Sequence, residues 1–170
     1  MTDERLGERL WDALDAVTDV GGGVVFRHHA TPLEARVTLA RRVAEVAHRH
    51  GLTLAIARDA LLARELGAQL VHNPVGLSLD LPFSRSVHDE VEAWVAAADG
   101  AALVFVSPVY TSRSHPAAAG LGEREAVRLA GIAGVPAFAL GGVRRADEQK
   151  LTRLGFAGWA GIDAWLSDFG

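Results

Sequence analysis

Short runs of this sequence carry side chains able to grip an anion or move a proton, and each follows an apolar stretch. Ala101-Ala-Leu-Val-Phe-Val empties without a spacer into Ser107-Pro-Val-Tyr-Thr-Ser-Arg-Ser-His115. Val24-Val-Phe26 ends at Arg27-His28-His29, and the stretch from Phe83 ends at Ser86-Val87-His88. Arginine and hydroxyl groups donate hydrogen bonds to phosphate-like oxygens. Histidine titrates near neutrality, so His29, His88 and His115 are candidate proton carriers. Histidines in this number could also hold zinc, but no His-x-x-x-His or carboxylate spacing supports such a site. Strands apolar on both faces belong to parallel sheets covered by helices, and such sheets carry their chemistry on loops leaving the carboxyl ends of the strands.

The elements that must position these residues alternate from end to end. Leu6, Leu10, Leu14 and Val17 recur near the helical period. Val24 to Phe26 reads as a strand, a helix runs from about Pro32 to His50 with Gly51 as its stop, and Leu52 to Ala57 is the next strand. Helix Ala60 to Leu66, strand Gln69 to His72, strand Phe83 to Val87 and helix Asp89 to Ala98 lead to the Ala101 strand. Helix Gly122 to Ile132, strand Pro136 to Leu140, the tight turn Gly141-Gly142, helix Ala146 to Leu154 and strand Gly158 to Ile162 complete the pattern. This is one α/β domain over residues 1–170. Alternation alone does not separate a closed (β/α)8 barrel from an open doubly wound sheet, and the missing Gly-x-Gly-x-x-Gly turn argues only against the dinucleotide-binding version.

Composition narrows the partners. A formal net charge of -4 with no long basic run leaves no electrostatic footprint for nucleic acid or an anionic membrane. With no cysteine the chain has no disulfide, thiolate metal site or thiol nucleophile, which suits the cytoplasm. No apolar run approaches the roughly 18 to 20 residues of a membrane span.

Thr2-Asp3, Val24-Val-Phe-Arg27, Gly67-Ala-Gln-Leu-Val-His72, Ser86-Val-His88, Ser107-Pro-Val-Tyr110, Ala139-Leu-Gly-Gly-Val143 and Gly158-Trp-Ala-Gly-Ile162 resemble, in order, the strand ends of the thiamine phosphate synthase and thiazole tautomerase family. The resemblance spans nearly the whole chain and implies an α/β fold of the (β/α)8 (TIM) barrel type. In the family a Thr-Asp pair closes the first strand. Here Thr2-Asp3 follows Met1 directly, so the first strand is expected to be short or missing. The neighbouring edges would then be unpaired, which favours a homodimer or poor solubility.

The family joins a pyrimidine pyrophosphate to a thiazole phosphate with loss of pyrophosphate, assisted by magnesium, so the resemblance implies a small phosphorylated heterocyclic ligand. It assigns catalytic roles to Ser86 and His115. It assigns phosphate or substrate binding to Arg27, His29, Arg58, Ser112, Ser114, Gly141, Gly142, Ile162 and Asp163. Gly141-Gly142 matches a backbone cradle for the thiazole phosphate. Asp163 stands where the family has serine, and a carboxylate there repels a phosphate by on the order of 1 to 4 kcal/mol; the alternative is a cap on a terminal helix from Ala164.

His29 and His115 replace family lysines; His29 is mostly uncharged at neutral pH, and the grip of the loop on pyrophosphate should strengthen as His115 is protonated below roughly pH 6.5. Pro108 occupies the place of the tautomerase's histidine. The magnesium ligands are missing: the family's Asn-Asp aligns with Ala57-Arg58, and its second aspartate falls near Leu77. Arg58 can supply positive charge there but cannot coordinate a metal, and Asp59 reads as a helix cap. Magnesium is thus the cofactor that the resemblance implies, but both of its ligand aspartates are absent. Two readings follow: a transferase of thiamine biosynthesis, or a homologue that has lost the metal site and serves as a tautomerase-like enzyme, ligand-binding or interaction protein.

Overall fold

The strand signals from Gly23 onward become seven strands in a computed structural model describing residues 1–18, 22–76, 80–111 and 119–167, and helices separate consecutive strands except between the third and the fourth. The chain divides into two compact units, Met1–Pro82 with Trp165–Gly170, and Phe83–Ala164.

The first unit holds α1 (Leu10–Thr18), β1 (Gly23–Phe26), α2 (Leu33–Arg49), β2 (Thr53–Ala57), α3 (Ala60–Glu65) and β3 (Leu70–His72). β1 pairs with β2 in parallel, Phe26 opposite Ile56, and β2 pairs with β3 in parallel, Ala57 opposite His72. Val24, Val25, Phe26 and Leu54 to Ala57 are all buried, as expected of strands covered on both faces. On α2 the buried residues Arg36, Ala40, Val43, Ala44 and Ala47 form one stripe at helical spacing.

The second unit holds β4 (Phe83–Val87), α4 (Glu90–Asp99), β5 (Leu103–Val106), α5 (Gly122–Ala133), β6 (Ala137–Leu140), α6 (Glu148–Arg153) and β7 (Gly158–Ala160), and closes as α7 (Ala164–Ser167) begins. Its four strands are parallel in sequence order. Asp89 caps α4 by accepting a hydrogen bond from the Glu92 N–H. Val91, Trp94 and Val95 leave an apolar stripe on α4 exposed.

At the start of the chain the structure departs from the helix expected from Leu6. Residues Glu4–Arg9 form 3-10 turns broken at Gly7, whose φ of 51° and ψ of -132° lie outside the helical region, and the α-helix begins only at Leu10. Leu6, Leu10, Leu14 and Val17 are nevertheless all buried. Among the described residues no strand precedes β1, though the Thr2 N–H donates to the Val25 carbonyl at 2.9 Å. The last strand stops at Ala160, two residues short of the expected Ile162. No helix among the described residues is long and apolar enough to cross a membrane.

Candidate functional site

In the first unit the register places consecutive strand exits side by side. Arg27 follows β1, Arg58 follows β2 and Asn73 follows β3. The Arg58 N–H donates to the His72 carbonyl at 2.8 Å, locking the second exit onto the third. Arg58 and Asn73 have φ of 66° and 46°, left-handed values that cost a non-glycine residue of order 1 kcal/mol each and cluster where a site imposes them.

Arg27 is held through its backbone, whose N–H donates to Thr2 Oγ1 at 3.0 Å. The same hydroxyl lies 3.0 Å from His28 Nδ1. His28 is buried and stacks on Phe26 with centroids 4.8 Å apart, so it belongs to the core. His29, the next residue, is exposed. Partial burial, followed by the charges of Arg27, Arg58 and Arg36, lowers its pKa. His72, at 2 % exposure, is pushed down to about 3, chiefly by burial, with Arg27 and His29 adding to the effect. These groups share a positive field. Among the described residues neither the Arg27 nor the Arg58 guanidinium has a hydrogen-bonding or ion-pair partner. The nearby acids are engaged: Asp3 pairs with Arg5, and Glu4 accepts the Ala30 N–H at 2.7 Å.

Arg36 carries no signal in a motif, yet it props this site. From the buried stripe of α2 it donates to Asp59 Oδ2 and to the Ala57 carbonyl, both at 3.1 Å, and lies 5.6 Å from the Phe26 ring centre. It thereby fixes the residue before Arg58. Asp59 also accepts the Leu62 N–H at 3.0 Å and caps α3, as expected. The one visible sequence signal of Arg36 is position, a charged residue on an otherwise apolar stripe of α2. Arg36→Met, which keeps the stem but orphans Asp59 and the Ala57 carbonyl, is expected to lower stability by about 1–3 kcal/mol. Urea unfolding at pH 7 measures it.

In the second unit, Ser86 is half-buried near the end of β4. His88 is exposed and tied to the start of α4: its N–H and its Nδ1 both lie 2.7 Å from Glu92 Oε2. The Ser107–Pro108 peptide is cis. Beyond it, the Val109 and Tyr110 N–H groups donate to the Leu140 and Gly141 carbonyls at 2.8 and 2.9 Å, so this segment crosses the exit of β6. A Cβ on Gly141 would stand 2.7 Å from Pro108 Cα, and one on Gly142 2.6 Å from the Thr111 carbonyl oxygen. The glycine pair is thus required by backbone crossing, whether or not a phosphate binds. Tyr110 is anchored by its hydroxyl, which donates to Glu123 Oε1 at 2.8 Å, while Lys150 pairs with the same carboxylate and approaches the ring. Burial and this bond raise the Tyr110 pKa. Ile162 and Asp163 follow β7, Asp163 directly before α7.

The structure therefore gathers Arg27, His29 and Arg58 in the first unit. It places Ser86, Gly141, Gly142, Ile162 and Asp163 at or beyond the carboxyl ends of strands of the second. Leu77, Ser112, Arg113, Ser114 and His115 lie outside the described residues.

A magnesium ion requires hard oxygen ligands, and the donors among the described residues of this site do not fit one. Asp59 is engaged by Arg36 and the α3 N-terminus, Asp80 pairs with Arg64, and the β2 exit presents a guanidinium. Among the described residues no group of three or more histidine or acidic side chains could hold a metal ion.

Comparison with known proteins points one way. Residues 77–165 match the family model described as thiamine monophosphate synthase. The thiamine-phosphate synthase of Mycobacterium bovis is 37% identical over 142 residues, covering 75% of this chain and 62% of that protein. That of Gloeobacter violaceus is 29% identical over 145 residues, covering 78% of this chain and 42% of the relative. The chain thus spans less than two thirds of the length of these curated relatives. Among solved structures, the thiamine phosphate pyrophosphorylase from Pyrococcus furiosus superposes with a TM-score of 0.81 at 17% identity, over 96% of this chain and 83% of that one.

Proposed function

Because the chain belongs to the thiamine monophosphate synthase family, we propose that it acts in thiamine biosynthesis, binding a phosphorylated thiazole- or pyrimidine-type ligand at the strand exits of a (β/α)8 barrel. The reaction is C–N bond formation: the thiazole nitrogen bonds to the pyrimidine's carbon as that carbon's bond to pyrophosphate breaks, and the bonding pair leaves with the pyrophosphate. The observation that carries this reading is the pair of arginines, Arg27 and Arg58, at adjacent exits and without acidic partners among the described residues. Fixed positive groups aimed where negative charge develops are a large source of transfer catalysis. On the family resemblance, Ser86 and His115 act at the reacting centre, Ser112 and Ser114 assist the pyrophosphate, and Gly141, Gly142, Ile162 and Asp163 border the thiazole phosphate.

The missing carboxylate donors favour a second reading, a tautomerase-like enzyme or ligand-binding homologue without transfer. The purified chain, mixed with pyrimidine pyrophosphate and thiazole phosphate, in magnesium and in EDTA, separates the two. Release of pyrophosphate with formation of thiamine phosphate is expected, slowed at least about 10-fold in Arg27→Gln. Thiazole phosphate binding without release would leave the second reading standing.

A further inference from the structure

We infer that the exits of β1 and β2 form an anion site charged by the Arg27 and Arg58 side chains in place of a metal ion, so that pyrophosphate or a phosphate ester is taken as the metal-free anion. The inference rests on the reading that this chain handles a phosphorylated ligand, and it adds how that ligand's charge is met.

Charge, donor chemistry and backbone agree. The Arg27 and Arg58 guanidinium groups lack hydrogen-bonding or ion-pair partners among the described residues, the two residues follow the paired strands β1 and β2, and after burial their charges are the next causes that lower the His29 pKa. A metal cation placed there would meet the same repulsion, and the carboxylates near it among the described residues, Asp3 and Glu4, are engaged by Arg5 and the Ala30 N–H. An anion instead meets two planar forks suited to bidentate phosphate recognition, with the exposed His29 beside them. The left-handed φ of 66° at Arg58 is held by its N–H bond to the His72 carbonyl and by Arg36 on the Ala57 carbonyl. Strain of that kind at a position with no side-chain partner is explained by what the side chain must face. Arg36 is not available to the anion, being buried and bonded to Asp59.

Calorimetric titration of the chain with inorganic pyrophosphate, in EDTA and in excess magnesium, tests this directly. Binding is expected in EDTA and should weaken several-fold in excess magnesium, which masks the ligand's charge. Arg58→Asn removes the charge while keeping a residue that tolerates the left-handed backbone, and should weaken binding about 10-fold or more. Arg58→Lys should bind with intermediate affinity, tighter than Arg58→Asn and weaker than the unaltered chain, because charge persists though the fork does not. An unchanged melting temperature for both variants keeps the comparison one of charge. Binding that requires magnesium, or an Arg58→Asn variant that binds as the unaltered chain does, overturns the inference. The outcome is separable from that of the transfer assay. Pyrophosphate bound in EDTA without turnover supports this site and removes the transferase reading, whereas turnover with binding only in magnesium does the reverse.

Discussion

Acidification from pH 7 is expected to destabilise this chain by about 2 kcal/mol at pH 5 and by up to about 5 kcal/mol below pH 3 through one side chain, His72. His72 ends β3 at 2 % exposure, and its pKa is pushed from 6.5 to about 3, first by burial and then by positive neighbours that include Arg27 and His29. The sign follows from proton binding. Below pH 6.5 the unfolded chain takes up a proton that the folded chain refuses, so the folded state loses ground as pH falls, and the loss levels off only once the buried imidazole is itself protonated near pH 3. Above pH 6.5 both states are neutral and this group contributes no slope. Urea unfolding at pH 7.5, 6 and 5 measures the effect, with His72→Asn as the comparison. The variant starts from a different stability, but its pH dependence over that range should be flatter by about 2 kcal/mol. Parallel curves for the two proteins would remove His72 as the cause. The same physics bears on the anion site: at neutral pH His72 adds no charge, so the field at the exits comes from the arginines.

How much of this was legible in sequence depends on whether the determining contacts are local. Val24 to Phe26, Leu54 to Ala57 and Val104 to Val106 read as buried strands because both faces are apolar, and a run of that kind requires no knowledge of partners. Asp59 reads as a helix cap because the bond it makes spans three residues. Arg27, His29 and Arg58 are nameable because each directly follows an apolar run or a family motif. Gly7 was missed as a break because the leucine periodicity continues on either side of it, and the burial it encodes survives the kink. Arg36 was missed because its charge is matched by Asp59 and a strand-end carbonyl, contacts that no helix periodicity displays. The left-handed backbone at Arg58 and Asn73 is likewise silent, since neither is the glycine that usually announces it.

The Gly141-Gly142 turn is where sequence and structure give different reasons for the same residues, and substitution separates them. If the glycines serve only to admit a phosphate, Gly142→Ala should spare stability and weaken ligand binding. The backbone crossing predicts otherwise. At φ of 67° an alanine pays about 1 kcal/mol for the left-handed conformation. Its Cβ would also stand 2.6 Å from the Thr111 carbonyl oxygen and 2.8 Å from Tyr110 Cβ and the Tyr110 carbonyl oxygen. These neighbours are mostly backbone, and Tyr110 is tethered at its other end through its hydroxyl to Glu123, so the segment cannot step aside by a rotamer change. Overpacking of this kind costs about 1–3 kcal/mol, giving about 2–4 kcal/mol in all. Gly141→Ala meets Pro108 Cα and Cβ at 2.7 Å and should behave alike. Thermal and urea unfolding without any ligand is therefore the deciding measurement. Wild-type stability in both alanine variants would return the pair to the ligand. A loss in both would show that the exit of β6 is shaped first by the chain crossing it, with any phosphate bound on a turn the fold already requires.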